Sequence, residues 1–493
     1  MNADDIYTRV PTDMEDWLAR LDLRMTIGGR DAPAGATGTV VHACTERPIA
    51  RYPDADAGHV DAAVRVAAAA FPAWAATPWG ERRACLERFA DALRTQSDTL
   101  ALIVAAEAGR PLRRAWGEVA FSADYVRMIA GQRLPDKAYR RAGLHAVLKH
   151  RPLGVVGAIA PWNGPVILAI AKIANALIAG DTLILRPSPF TPLSALYLGR
   201  MARDIFPAGV LNVITGDASV GAAMTTHPGI AKISFTGSTA TGKRIAAAAA
   251  PTLKRLTLEL GGNDAAIVLA DADPAAVAET VYRISLENAG QFCAAIKRLY
   301  VHESLYDSVR DAIVRRAGAA VAGSCFRPET TMTPVQNRAQ FDRVWSLFDD
   351  AVAGGGRVAV GGERHRGEGL FIPPTLVEGV GAGVRLVDEE QFGPVLPIIA
   401  FRDEAAAIAQ ANCGPYGLGG SIWTRDVDRG LALAERLDAG TGWVNQHGAF
   451  TAALPMPFAG ESGIGMDYAE YGVAEHSQAM LINALLPSSA DQR

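Results

Sequence analysis

Residues Val156–Ser188 read VGAIAPWNGPVILAIAKIANALIAGDTLILRPS, and how this stretch is divided decides the architecture. From Leu153 to Ala171 there is no charged residue, over about the length that a membrane-spanning helix requires. Pro161, Asn163 and Pro165 interrupt that run, with Gly154, Gly157 and Gly164 beside them, and two prolines and an amide do not suit a spanning helix. The same residues suit a buried strand (VGAIA), a turn (PWNGP) and a buried helix, after which DTLILRPS gives a second strand and turn. GVLNVITG and AKISFTG continue the pattern, each a short apolar run ending in turn residues and followed by a helical segment. Strand–turn–helix repetition predicts a parallel sheet with helices on its faces, whose ligands bind at the carboxyl ends of the strands. The turns are therefore where chemistry is expected.

A second α/β series follows Glu259, with AAIVLAD, KRLYVH, GRVAVGG, LPIIAF, GSIWTRD and TGWVNQHG as its strands. Gly354–Gly369 reads as loop around one short strand. Upstream, alanine-rich amphipathic stretches cover about 60–75 and 81–130, broken near Gly109 and Pro111, and Thr12 with Glu15 has capping-box spacing ahead of a short helix. A chain of 493 residues with 49% hydrophobic and 20% charged residues has room for two intimately packed α/β domains. The formal charge of −4 is spread along the chain, without the basic stripe of a nucleic-acid binder. The acidic N-terminus lacks the apolar core of a signal peptide, so a cytoplasmic address without a membrane anchor is expected.

Candidate chemistry sits in four of the turns. SFTGSTATGKR places Gly237, Gly242 and Lys243 in GxxxxGK spacing at a strand end, nearly a P-loop, but Arg244 stands where a P-loop needs a magnesium-binding hydroxyl. AIVLAD, ending in Asp271, would serve as the acidic strand of that reading, so a P-loop NTPase is the alternative from another functional class. In LTLELGGND, Glu259 is either a surface strand end or a desolvated general base. In ENAGQFCAAIKR, Cys293 is either a small core residue or a nucleophile. Asn163 in PWNGP is either a turn former or an oxyanion donor. The five cysteines, Cys44, Cys85, Cys293, Cys325 and Cys413, form no CxxC pair or zinc-type spacing, and no metal site is expected.

Taken in order, PWNGP, RPSPFTP, FTGSTATG, LELGGN, GQFC and EEQFGPV resemble the motifs of the aldehyde dehydrogenase superfamily, over about residues 25–484. The resemblance implies an α/β fold: a Rossmann-like cofactor domain (23–132 and 153–258), an α/β catalytic domain (259–455) and a small β oligomerisation element with the C-terminal segment (133–152 and 456–493), after an N-terminal extension (1–22). It makes Cys293 the nucleophile, Asn163 the oxyanion donor, Glu259 the base that hydrolyses a thioester, and Lys172 a residue of the proton-relay region. For NAD or NADP it implies Trp162, Gly237, Ser238, Gly242, Glu390 and Phe392, with Arg186, Ser188 and Pro189 on the adenosine side.

Two departures from the family pattern carry expectations. Arg186-Pro187-Ser188-Pro189 replaces Lys-Pro-Ser/Ala-Glu, removing a carboxylate that repels a 2′-phosphate and adding a guanidinium suited to one, so NADP is expected to be tolerated. Gly164 and Ala171 replace bulkier tunnel residues, while Phe292, Phe450 and Phe458 remain to line the entrance, which implies a bulky aromatic or long-chain aldehyde. PFAGESGIG is about two residues shorter than its family counterpart. The resemblance further implies a homodimer or homotetramer built from 133–152 and SQAMLINA (477–484). Within enzymes the alternative is a CoA-acylating or reductive member; a non-catalytic family member would have no need of Cys293, Glu259 and Asn163 together.

Overall fold

The computed structural model describes residues 5–141 and 144–485. Residues 1–4, 142–143 and 486–493, which belong to the expected N-terminal extension, hairpin and C-terminal segment, lie outside the described residues.

The opening stretch divides as its breaks require. Val155–Ile159 is a fully buried strand, Pro161–Gly164 the turn, Pro165–Ala179 a helix with proline in its first turn, and Thr182–Arg186 the next strand. They belong to an eight-stranded sheet ordered Arg30–Ala32, Met25–Ile27, Leu211–Val213, Thr182–Arg186, Val155–Ile159, Lys232–Thr236, Arg255–Glu259, Gly463–Ile464. The five strands from Leu211–Val213 to Arg255–Glu259 are parallel. Strand order reverses between Val155–Ile159 and Lys232–Thr236, so the turns after these two strands, carrying Asn163 and Gly237, open on one crevice.

The second sheet has seven strands: Arg357–Val360, Thr375–Glu378, Val395–Phe401, Ile296–His302, Asp264–Val268, Gly419–Trp423 and Thr441–Val444. Only its first strand is antiparallel to its neighbour. A third, antiparallel sheet joins Lys137–Arg141, Leu144–Pro152 and Ser477–Leu485. Among the described residues, no helix is long and apolar enough to cross a membrane.

Three local expectations are corrected. The first α-helix, Met14–Arg20, is capped by Asp13, whose carboxylate accepts from the Asp16 N–H at 2.9 Å, rather than by Thr12 with Glu15. The amphipathic stretch before Gly109 is two helices, Trp79–Thr95 and Ser97–Ala108, separated at Gln96 without a glycine or proline to announce it. GVLNVITG holds a strand of three residues only, Leu211–Val213.

The C-terminal segment also reaches into the first sheet. Gly463 pairs with Glu259, and Ile464 with Leu258. At Gly463 φ is +150°, and a Cβ there would stand 2.0 Å from the Leu258 carbonyl oxygen, so only glycine permits this approach to the strand that ends in Glu259.

Candidate active site

Two cavities meet at the carboxyl ends of the first sheet. One, of about 450 Å³, is lined largely by apolar groups, among them Gly164, Leu168, Ala171, Phe292 and Phe450. The other, of about 380 Å³, is lined by Trp162, Gly237, Ser238, Glu390 and Phe392. Four residues line both: Asn163, Thr236, Glu259 and Cys293. Three of the four come from different strand ends, and Cys293 comes from the loop that leads into the second sheet.

Glu259 ends its strand and is buried, and neither carboxyl oxygen has a hydrogen-bond partner. Burial pushes its pKa up to about 7, while nearby Cys293 and Lys172 pull it down. Cys293 is partly exposed to the cavities. Burial among protein atoms raises its thiol well above the ordinary value, the neighbouring Glu259 charge adds to this, and Lys297 opposes it. The two groups lie near enough to shift each other's titration, yet no hydrogen bond joins them in this geometry. A carboxyl near pKa 7 in a water-poor site is matched to proton transfer at neutral pH.

The loop bearing Cys293 is held from both sides. Before it, Asn288 and Ala289 adopt left-handed backbone (φ 54° and 52°), a strained turn that the surroundings must enforce. The Gln291 side chain, fully enclosed, donates to the Asn288 and Pro334 carbonyls at 2.9 and 3.0 Å. On the other side, buried Lys297 donates to the carbonyls of Phe292 and Cys293 and pairs with Glu390 at 3.2 Å. Asn163 donates one amide N–H to the Gln291 carbonyl at 3.2 Å. An amide carries two such donors, which leaves one for an oxyanion beside Cys293.

Sequence reasoning missed what supports Asn163. Arg110 donates to the Asn163 carbonyl, to Asn288 Oδ1 at 3.2 Å and to Glu118. Glu118 in turn accepts from the N–H groups of Val166 and Ile167 at 2.9 and 3.1 Å, capping the helix that starts behind the turn. Arg110 lies in the break between two helices and Glu118 inside an amphipathic helix whose pattern reads as packing, so a single sequence carries no signal for them. Sequence reasoning also misses Asp467 and Tyr468, which line the apolar cavity, because they lie just past PFAGESGIG, the segment that departs in length from the family pattern. Lys172 is buried on the helix after the turn, donates to Thr236 Oγ1 at 2.9 Å and Ser234 Oγ at 3.3 Å, and its pKa is lowered by burial.

The smaller cavity fits a dinucleotide's nicotinamide half. Ser238 caps the helix Thr239–Ala249, so the first-turn amides of that helix face the cavity and suit phosphate oxygens. Gly242 lets this helix pack on Leu260, where a Cβ would stand 2.5 Å away. Glu390 accepts from the Gly262 N–H at 3.0 Å and reaches in over Gly261, where a Cβ would sit 2.2 Å from its carboxylate. Its carboxylate is a ready acceptor for ribose hydroxyls. Phe392 packs edge-on against Trp162 at 5.5 Å, forming an aromatic wall.

Some expected residues are not brought here. Arg186, Ser188 and Pro189 do not line this cavity. The expectation that Arg186 offers a free fork to phosphate is corrected: the group is buried, donates to the Gly216 carbonyl at 2.7 Å, and lies near the charges of Asp217 and Asp54. Phe458 is corrected likewise. It does not line the apolar cavity, because its segment packs along Gly463–Gly465, and Met456 and Tyr468 take its place. Lys243, the would-be P-loop lysine, pairs with Glu461 at 2.6 Å.

The family model for the aldehyde dehydrogenase family matches residues 31–482. The chain belongs to that family. It is 37% identical to an aldehyde dehydrogenase from a Fusarium species, over 92% of this chain and 97% of the relative. It is 36% identical to phenylacetaldehyde dehydrogenase from Pseudomonas fluorescens, over 93% and 95%. The NAD+ complex of an aldehyde dehydrogenase from Bacillus cereus superposes with a TM-score of 0.93 at 32% identity, covering 96% of this chain and 98% of that one. The NTPase alternative falls with this membership, and the α/β aldehyde dehydrogenase fold stands.

The coupling of Glu259 and Cys293 has a measurable sign. Removing the carboxylate charge in Glu259→Gln removes one cause that raises the thiol, so the pH midpoint for alkylation of Cys293 by iodoacetamide should move to lower pH. A midpoint that stays put or rises, followed by mass spectrometry, would show that the two groups do not interact.

Proposed function

We propose that this aldehyde dehydrogenase oxidises a bulky aldehyde to the free carboxylic acid through a thioester on Cys293. The observation that carries the reading is the shared boundary of the two cavities, where a nucleophile, an oxyanion donor and a base face both an apolar chamber and a dinucleotide-shaped one.

Each step follows from a group at that boundary. The Cys293 thiol gives its proton to Glu259, which releases it to solvent, and the thiolate attacks the aldehyde carbon; a C–S bond forms, and the carbonyl electron pair moves onto oxygen. The free N–H of Asn163 stabilises that oxyanion in a site with little water. Trp162, Ser238, Glu390 and Phe392 would hold NAD(P), which would supply the acceptor for the hydride of that carbon and so leave Cys293 as its thioester. Glu259, near its pKa at neutral pH, then takes a proton from water, whose oxygen attacks the thioester carbon. The C–S bond breaks, sulfur departs as thiolate, and the acid is released. The CoA-acylating alternative has no use for this buried base.

Glu259→Gln should therefore give a stoichiometric burst of reduced cofactor followed by turnover lowered at least about 100-fold, the usual scale for losing a general base. Steady-state turnover close to that of the parent chain would refute hydrolysis through Glu259.

Substrate and cofactor preferences follow from the walls. Small residues at Gly164 and Ala171 leave the apolar chamber roomy, and Phe450 packs edge-on to Phe292 at 6.0 Å and stacks on Tyr468 at 6.1 Å, an aromatic lining. The kinship with a relative named for phenylacetaldehyde agrees with arylaldehydes. NAD is the proposed working cofactor. NADP is tolerated only because Pro189 presents no carboxylate, since Arg186 is already engaged. Across an aldehyde panel with both cofactors, kcat/KM should favour arylaldehydes over acetaldehyde and NAD over NADP; acetaldehyde as best substrate, or NADP preferred, contradicts the respective assignment.

We propose further that the chain is a homo-oligomer assembled through the third sheet. Ser477–Leu485 is paired along one edge only and exposes Met480, Leu481, Ile482 and Leu485. Leu481→Asp should reduce the assembled mass in light scattering, and an unchanged mass would remove this surface from the assembly.

A further inference from the structure

A second cluster of reactive side chains lies away from the active site. His42, Cys44 and Cys325 are all buried, and their ligating atoms lie within 4.8 Å of one another. They come from two places far apart in the sequence: a His-x-Cys pair at one hairpin and a single distant cysteine. His42 ends the strand Ala36–His42, Cys44 sits in the hairpin turn after it, and Cys325 lies in the loop between the helices Tyr306–Ala317 and Arg338–Ala353.

The imidazole is preset as a ligand. Its Nδ1 lies 2.7 Å from the Ala106 carbonyl, which can only accept, so Nδ1 carries the proton and Nε2 presents a lone pair. That arrangement, with one ring nitrogen donating to a backbone oxygen, is how metal-bound histidines are oriented. Nε2 faces Cys325 Sγ at 3.9 Å. In a tetrahedral zinc site, bonds of about 2.0 Å to nitrogen and 2.3 Å to sulfur put neighbouring ligand atoms about 3.5–3.8 Å apart. The His42–Cys325 separation is within a few tenths of an ångström of that spacing, and the other pairs lie within 4.8 Å. His42 also borders a cavity of about 240 Å³ beneath the first helix, lined by Asp13 and Glu15 among others.

We propose that His42, Cys44 and Cys325 bind one zinc ion, with water as fourth ligand, and that this ion clamps the N-terminal hairpin to the wall of the substrate cavity. Two thiol protons leave as the ion binds. Thiolate and imidazole ligands select zinc over magnesium or calcium.

The clamp bears on the active site through the backbone. In the metal-free thiol form Cys44 Sγ donates to the Gly109 carbonyl at 3.7 Å, next to Arg110, which supports Asn163, and Cys325 Sγ donates to the Ala105 carbonyl at 3.3 Å; ion binding replaces both bonds. The Cys325 carbonyl, which accepts from the Leu112 N–H at 2.9 Å, keeps its partner in both states. Pro111 and Thr331, on either side of that contact, line the apolar cavity.

The test uses the full chain carrying Cys293→Ala, so that the catalytic thiol does not compete for metal and the outcome is independent of the catalytic reading. After treatment with EDTA, Zn2+ is titrated in competition with a chromophoric chelator, and Co2+ is added to a second sample. One equivalent of Zn2+ should bind and raise Tm, and Co2+ should show thiolate charge-transfer bands in the near ultraviolet. Cys325→Ser and His42→Gln, each checked for folding by circular dichroism, should weaken Zn2+ binding by more than the ~10–100-fold that loss of a supporting hydrogen bond causes. Absence of a bound equivalent, or binding unchanged in whichever variant folds, overturns the proposal. So does a Cys44–Cys325 disulfide in protein purified without reductant that takes up no zinc on reduction.

Discussion

Glu259 is a carboxyl group that the fold has deprived of every hydrogen-bond partner, and the rest of the site depends on that deprivation. A buried acid left unpaired costs free energy, and its pKa rises until the group is about half ionised at neutral pH. Pairing it with an arginine would recover stability and destroy its basicity. The neighbours are arranged accordingly. Lys172 is turned to the hydroxyls of Ser234 and Thr236, and Lys297 is spent on backbone carbonyls and Glu390. Both cations are near enough to shape the field and neither closes on the acid.

Around that base, the two sheets supply complementary parts. The first contributes fixed strand ends, which place Asn163, Thr236 and Glu259 on one crevice. The second contributes the loop carrying Cys293, which no regular hydrogen-bond ladder fixes. Side chains do so instead: Gln291 from within the loop, Lys297 from the strand that follows it, and Arg110 from an interhelical loop of the other unit, held by Glu118 of the next helix. Because Lys297 touches both the Cys293 carbonyl and Glu390, the nucleophile and the carboxylate of the smaller cavity are registered against a common cation.

The parts visible in the sequence are those whose local chemistry is unusual for their position. Pro161, Asn163 and Pro165 inside an uncharged run announced a turn, and Gly237 and Gly261 after apolar strands announced close backbone approaches. Arg110, Glu118 and Lys297 gave no such sign, since a charged residue in a loop between helices, in a helix or at the start of a strand reads as solvated until tertiary packing shows what covers it. Arg186 misled for the opposite reason. Its residue type suits a phosphate, but the strand end that carries it brings the guanidinium to Gly216, a partner thirty positions away that periodicity does not reveal. The break at Gln96 was invisible because helices there are ended by packing and not by a residue that forbids helix.

The glycine at 463 has a bearing on how the molecule comes into being. The strand that ends in Glu259 has its outer edge covered by a residue made some two hundred positions later. On a ribosome, that edge stays open while the whole second sheet is synthesised, and loop closure over such a separation is slow. The base thus acquires its dry surroundings among the last events of assembly. A partly made chain carries Cys293 but not the finished enclosure of the acid beside it, which waits for the segment around Gly463.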